Sequence, residues 1–372
     1  MSSLQHVDVV LGIQHGDEGK GKVVHHLCKT GDYTLVYRGQ GGPNAGHTIY
    51  HEGTKHVTHL IPAGVFFGIQ SLIGPGCVVD LSKLFAECTE LQKAGFDVKN
   101  LLKIDRRAHV ILREHLEEDA KDSETTGIGT TKCGIGPTYS AKYNRTGRRL
   151  GDIIDEFYAE VPDASNENIS GNVLPYFRNM LVDSYELFHK SPTPVIALFE
   201  GGQGFDLDID WGEYPYVTSS HVSTAGALLN GLPPQSVRNV YGVAKAYETY
   251  VGAKNFQRDD ASCKLFQELG HEYGATTGRL RQTDYLHLPR LERAITINGV
   301  TTLIINKCDI LQQASVAVKE GPADTRAAFT LYERDDALVM FFDYTKWAAH
   351  VRQRSAAMGV KNVIFSESPE HV

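Results

Sequence analysis

An α/β protein built on one large, mostly parallel sheet flanked by helices is what this sequence predicts. Three observations predict it. Short β-branched runs recur that are too apolar to be half exposed, as strands covered on both faces must be. They alternate with segments of helical period. The first run leads straight into a glycine-rich loop, "GIQHGDEGKGK" (12–22), and then into a helical pattern.

Taken in order, strands are expected at 6–13, 33–38, 194–201, 237–247 and 301–307, each a short run rich in Val, Ile, Leu and Tyr. Helices are expected at 81–94, 114–121, 176–189, 288–297 and 344–358. In the fourth of these, Leu288, Leu291 and Ile295 fall on one stripe. A further helix is expected to begin near Val23. The stretch 122–175, rich in Gly, Asn, Asp and Thr, reads as functional loops. No repeat or linker divides the chain, so 1–372 is read as a single domain.

Composition narrows the function classes. A net charge of -8 with no basic stripe argues against nucleic acid as a partner. The six cysteines show no C-x-x-C spacing, which suits buried, reduced thiols better than disulfides or a zinc site. The N-terminus lacks the order of a signal peptide, and no apolar run reaches membrane-spanning length. The expectation is a cytoplasmic protein with no membrane partner.

The loop at 12–22 supplies what a phosphate needs. Gly16, Gly19 and Gly21 let the backbone turn tightly, a helix N-terminus offers free N–H groups, and Lys20 or Lys22 adds a point charge. A plain turn with solvated lysines is the bland alternative, disfavoured by the strand-loop-helix context. "INKCDIL" (305–311) follows a strand and carries Asn-Lys-x-Asp. There the Asp309 carboxylate would accept from guanine N1–H and the 2-amino group, while the Lys307 stem packs on the base. Alone this string is equally a polar strand-end turn; beside a phosphate loop it points to GTP. Four more loops combine Gly with Thr, Asn, Gln or Arg: 38–48, 127–139, 199–220 and 274–284. They exceed the needs of one nucleotide. His47, inside "NAGHT", is balanced between an ordinary histidine and a general acid or phosphate contact.

The strings "QHGDEGKGK", "GGPNAGHT", "IGTTKCGIGPTY", "FEGGQG", "ATTGR" and "NKCDIL", in this order, resemble adenylosuccinate synthetase from about Asp8 to Leu311. A weaker echo lies in "FSESPEH" near the C-terminus. The resemblance implies a P-loop-like, GTP-binding ligase fold. It also implies an enzyme that joins L-aspartate to IMP through a phosphorylated purine oxygen, using GTP and Mg²⁺. Asp17 then looks like the catalytic base and a metal ligand, Gly46 a carbonyl ligand of the metal, His47 the acid, and Lys20 a catalytic cation. Gly16, Glu18, Gly19, Lys20, Gly21, Lys22, Lys307, Asp309 and Ser366 match GTP contacts. Asp17, Asn44, Thr131, Arg145, Gln203, Thr218 and Val251 match contacts to the purine monophosphate. Arg145 is the one that reaches a neighbouring subunit's nucleotide, which implies a homodimer. Thr276, Thr277, Arg279 and Arg281 match the loop that grips aspartate, where two arginines suit a dicarboxylate.

The sequence also departs from the family's strings. His15 stands where a Trp is expected and Phe205 where "QGT" has its Thr. "YVGAKNFQRDD" (250–260) replaces an Arg-, Gly- and Pro-bearing segment, with Tyr250 in place of the Arg. The chain is shorter than the common bacterial form, mainly after Arg145 and after Leu311. These departures leave two acceptors open: IMP, which leads, and dGMP or GMP, as in phage relatives that make a 2-aminoadenine precursor. A non-enzymatic GTP switch is the distant third, because it has no use for "ATTGRLR" or "FEGGQG".

Overall fold

The computed structural model describes residues 2–125, 130–161, 173–257, 261–273, 278, 280–320, 338–339, 344–368 and 372. Nine strands form its main sheet. In chain order they are β1 (Leu4–Gly12), β2 (Leu35–Arg38), β3 (Gln70–Ile73), β4 (Leu102–Asp105), β5 (Leu181–Val182), β6 (Val195–Glu200), β7 (Val237–Lys245), β8 (Thr302–Asn306) and β9 (Asn362–Phe365). They lie in the order β9-β8-β7-β1-β6-β2-β3-β4-β5, and every neighbouring pair is parallel.

Side chains along these strands alternate between two apolar clusters. Val7, Val9 and Leu11 join Phe199 and Leu303 in one; Val10 joins Val36, Leu198, Val243 and Ile304 in the other. A period of two with both sets buried is a sheet covered on both faces, and it accounts for the unbroken apolar runs. All six cysteines are buried, and none is in a disulfide. Among the described residues, no helix is long and apolar enough to cross a membrane.

Three expectations need correction. The segment 176–189 is not one helix: helix Leu174–Phe177 and the 3-10 turn Arg178–Met180 lead into edge strand β5, then helix Ser184–His189. Asp183 caps that second helix by accepting from Tyr185 N at 2.9 Å. Phe177 and Met180 enter one apolar cluster and Phe188 the other, so a continuous helical stripe is replaced by a crossing at the sheet edge. The supposed loop region 122–175 contains helices Ile135–Asn144 and Leu150–Glu160. Local composition hid the first, which is anchored by Tyr139: its hydroxyl donates to Gly76 O at 2.8 Å and accepts from Gly41 N at 2.9 Å. The helix after β1 starts at Lys20 rather than Val23. Strands β3, β4, β5 and β9 were not anticipated, being two to four residues long.

Parallel strands bring their carboxyl ends to one edge, where an open α/β sheet binds ligands. The loops after β1, β2, β6, β7, β8 and β9 therefore emerge together around β1. Two small additions complete that edge. A hairpin pairs His47–His51 with Thr54–Thr58. Strand Tyr247–Tyr250 follows β7 and pairs antiparallel with Gln282–His287.

Candidate active site

Gly16 and Gly19 adopt φ of 90° and 92°, and Asp17 between them has φ 59°. Asp is among the few side chains that tolerate this left-handed conformation. Glu18 is buried and turned inward: its Oε1 accepts from Gly16 N at 2.8 Å and Gln14 N at 3.2 Å, and its Oε2 from Lys20 Nζ at 2.6 Å. Glu18, expected from the resemblance to contact GTP, thus spends its carboxylate on the turn itself and is not among the residues lining the cavity described below. Helix Lys20–Thr30 has no side-chain N-cap and no acid in its first turn. Its first N–H groups are left to an anion, at the positive end of the dipole.

The neighbouring loops close on this turn backbone to backbone. A Cβ on Gly204 would lie 2.4 Å from both Gly16 N and Glu18 Oε1, so only glycine fits there. On the other side, a Cβ on Gly21 would meet His47 Cβ at 3.3 Å and Thr48 O at 3.1 Å. The helix N-terminus thereby sits against the first strand residue after the "GGPNAG" turn. His47 Nδ1 is hydrogen-bonded to Glu200, whose Oε2 also accepts from Ala63 N at 2.8 Å. Burial, with Arg38 nearby, pushes the His47 pKa down. Burial would raise that of Glu200, but His47 and Arg38 overcome it and hold it below the ordinary value. The resting pair is thus a neutral imidazole donating to a carboxylate, with Nε2 left as the nitrogen a ligand can reach.

Asp17 meets a second network. Arg281, at the start of the Gln282–His287 strand, donates from Nε to Asp17 Oδ2 at 2.7 Å and from Nη1 to Glu272 Oε2 at 2.6 Å. Glu272 also accepts from Lys245 Nζ at 2.9 Å and Tyr247 Oη at 2.6 Å. Burial would raise the Glu272 pKa, yet Lys245 and Arg281 hold it down to about 2.

A cavity of about 710 Å³ joins these parts. Of the residues singled out from sequence, Gly16, Asp17, Gly19, Lys20, Gly21, Asn44, Gly46, His47, Thr131, Gln203, Thr218, Val251 and Arg281 line it. Gln203 Oε1 is buried there without a hydrogen-bond partner among the described residues, and its backbone φ is 53°. A buried polar atom left unpaired at a cavity wall is a ready contact for a polar ligand. Tyr214, Pro215 and Tyr216, from the 199–220 loop, form a wall of the cavity that no motif in the sequence marks.

Lys22, Lys307, Asp309 and Ser366 gather elsewhere on the same edge, at the ends of β8 and β9. Lys22 Nζ donates to Ser366 Oγ at 2.6 Å and Ser368 O at 2.9 Å. Burial lowers the Lys22 pKa to about 8, against the opposing charge of Asp309. Lys307, at φ 64°, donates to Gly270 O at 2.9 Å, while Asn306 Nδ2 reaches back to Glu18 O at 2.6 Å. Asp309 is half-buried in the first turn of helix Cys308–Glu320. Arg145 is exposed, at φ 64°, and is not among the cavity residues. Thr276, Thr277 and Arg279 lie outside the described residues. Four of the seven non-glycine residues at positive φ among those described are Asp17, Arg145, Gln203 and Lys307. Such conformations concentrate at functional sites.

The family model for adenylosuccinate synthetase matches residues 9–319 of the chain. The chain belongs to the adenylosuccinate synthetase family. It is 43% identical over 333 residues to adenylosuccinate synthetase of Phocaeicola vulgatus, covering 82% of this chain and 78% of the relative. To the Helicobacter pylori (strain Shi470) enzyme it is 39% identical, with 98% of each chain covered. Among solved structures, fully ligated adenylosuccinate synthetase from Plasmodium falciparum aligns with TM-score 0.70 at 32% identity, covering 82% of this chain and 78% of that one. The cyanophage S-2L succinoaminodeoxyadenylate synthetase, bound to dGMP and to dATP as an energy donor, also aligns with TM-score 0.70. At 20% identity over 99% of this chain and 94% of that one, it shares the fold. As a member of the adenylosuccinate synthetase family, the chain is a GTP-dependent ligase that forms a carbon–nitrogen bond in purine biosynthesis.

Proposed function

We propose that the chain joins L-aspartate to C6 of IMP, at the expense of GTP, with the cavity around Asp17 as the reaction chamber. The observation that carries this reading is the convergence of Asp17, His47 and the uncapped helix at Lys20 on one cavity that also holds the unpaired Gln203 Oε1. Asp17 takes the N1 proton of the 6-oxopurine, so that O6 attacks the γ-phosphorus. The aspartate amine then displaces phosphate from C6. Gly16, Gly19, Lys20 and Gly21 cradle the transferring phosphoryl group through backbone N–H and ammonium. His47 Nε2, with Glu200 behind Nδ1, contacts it as charge builds, and the anion restores the proton that burial disfavours. Asn44, Thr131, Gln203, Thr218 and Val251 bind the purine monophosphate.

Oxygen donors at the Asp17 carboxylate and the Gly46 carbonyl, both on the cavity, suit a hard cation, and these two residues would hold Mg²⁺. Bound there, magnesium supplies charge neutralisation at the phosphoryl oxygens. Lys307 and Asp309 read guanine, with Lys22 and Ser366 beside them. Arg145, exposed at the end of its helix, reaches the purine phosphate of a second copy in a homodimer. Arg281, with Thr276, Thr277 and Arg279, binds the aspartate carboxylates.

Phosphate release and purine conversion measured with GTP and aspartate, for IMP, dIMP, GMP and dGMP side by side, test the acceptor. The reading expects IMP to be preferred and release to require both purine and aspartate. Exclusive use of dGMP would replace the acceptor and keep the chemistry. Release indifferent to both co-substrates would sink the ligase assignment.

A further inference from the structure

His15, Asp206 and Glu248 are three buried residues whose ligand atoms lie within 4.8 Å of one another. They come from the loop after β1, the 3-10 turn Phe205–Leu207 and the strand Tyr247–Tyr250. His15 Nδ1 is 3.5 Å from Glu248 Oε2 and 3.8 Å from Asp206 Oδ2. Both His15 Nδ1 and Asp206 Oδ2 are buried without a hydrogen-bond partner among the described residues. With Nδ1 unprotonated, both atoms offer lone pairs, and two buried lone-pair donors facing each other beyond hydrogen-bond reach are ready ligands for a cation.

We propose that His15, Asp206 and Glu248 hold a divalent transition-metal ion of the zinc class. This site is separate from the cation proposed at Asp17 and Gly46. Two ligands on a tetrahedral ion with bonds of about 2.0–2.1 Å stand roughly 3.3–3.4 Å apart. The observed separations of 3.5 and 3.8 Å need only a small contraction. Imidazole with two carboxylates suits zinc, cobalt or manganese better than magnesium or calcium, which take oxygen alone.

The surroundings are those of a ligand set held in place. Phe256 and Tyr250 meet the His15 ring edge-on at 4.9 and 5.7 Å between centroids, which fixes where Nδ1 points. Glu248 Oε1 accepts from His287 N at 3.1 Å, and Asp206 Oδ1 from Arg293 at 3.4 Å, leaving Asp206 Oδ2 to an ion. Arg290 reaches Glu248 Oε2 at 3.3 Å, a long contact that an ion displaces. A second cavity of about 420 Å³, lined by His15, Asp206, Arg290 and Arg293, provides the way in. His15 lines the reaction cavity as well, so the ion would pin the wall between them. His15 and Tyr250, which depart from the family's strings, and Phe205, beside Asp206, all belong to this corner.

The test uses the full chain, stripped with chelator and dialysed, then titrated with Zn²⁺ by calorimetry and with Co²⁺ by visible absorption. The proposal expects one saturable equivalent, with the strong bands of low-coordinate cobalt. H15Q and D206N should each weaken uptake at least tenfold while melting like the stripped wild type, and D17N should leave it intact. Absence of saturable uptake overturns the proposal, as does uptake that persists in both H15Q and D206N. Loss in D17N alone would assign the ion to the reaction cavity and overturn it equally.

Discussion

Arg281 holds two carboxylates at once, Asp17 at 2.7 Å and Glu272 at 2.6 Å. Glu272 is buried among Lys245 and Tyr247 and cannot follow a ligand, whereas the Asp17 side chain is 30% exposed at the cavity. The guanidinium is therefore anchored at one end and shared at the other. If it also grips the incoming aspartate, its bond to Asp17 must yield when that substrate arrives. R281Q should lower kcat/KM for aspartate by roughly 100-fold or more, the cost of a charge-assisted bidentate contact, and leave the KM for GTP within a few-fold. Equal losses for all three substrates would reduce Arg281 to a structural brace.

The His47–Glu200 pair predicts a different signature. Glu200 touches no ligand in the proposed chemistry; it fixes the imidazole tautomer and stabilises the charge that forms on it. H47A should cost roughly 100- to 10,000-fold in kcat, within the range for acid–base groups. E200Q keeps the shape but not the charge, and should lose about 10- to 100-fold in kcat with little change in nucleotide KM. An E200Q enzyme with wild-type kcat would remove the pair from the transition state.

How much of this was legible in the sequence depends on chain distance. The strand, glycine turn and helix around Asp17 are contiguous, so local propensity and period sufficed. The strings at 38–48, 199–220 and 305–311 each follow a sheet strand, and a parallel sheet gathers such ends without further instruction. What stayed hidden was pairing between remote residues. Glu200 was in view inside "FEGGQG", yet nothing tied it to His47, 153 residues away. Glu272, Lys245 and Tyr247 carry no local pattern at all. Strands such as Leu181–Val182 are too short for any period to register.

The guanine assignment rests on Asp309, half-buried beside Lys22. D309N keeps one acceptor and introduces a donor where guanine presents donors. It should lower kcat/KM for GTP by about 10- to 100-fold, the loss of a charge-assisted hydrogen bond, while ATP turnover stays low. Equal wild-type turnover with GTP and ATP would show that this residue does not read the base.

The same buried network that anchors Arg281 should also shape the acid limb of stability. Glu272 is held at about 2 in the folded chain against an ordinary value of 4.5, with Lys245 and Arg281 outweighing its burial. A carboxyl whose folded pKa is depressed contributes stability that is complete above its unfolded value and fades as pH falls through the folded one. Moving a carboxyl from 4.5 to about 2 corresponds to about 3 kcal/mol. E272Q should therefore be less stable than the wild type by a few kcal/mol at neutral pH, since Lys245 loses its buried counter-charge. Denaturant unfolding at pH 7, 5, 4 and 3 should show that gap constant down to about pH 5 and narrowing below about 4.5, as Glu272 takes up its proton in the unfolded wild-type chain while staying ionised in the folded one. A gap that is the same at every pH would mean that the glutamine disturbs packing rather than charge.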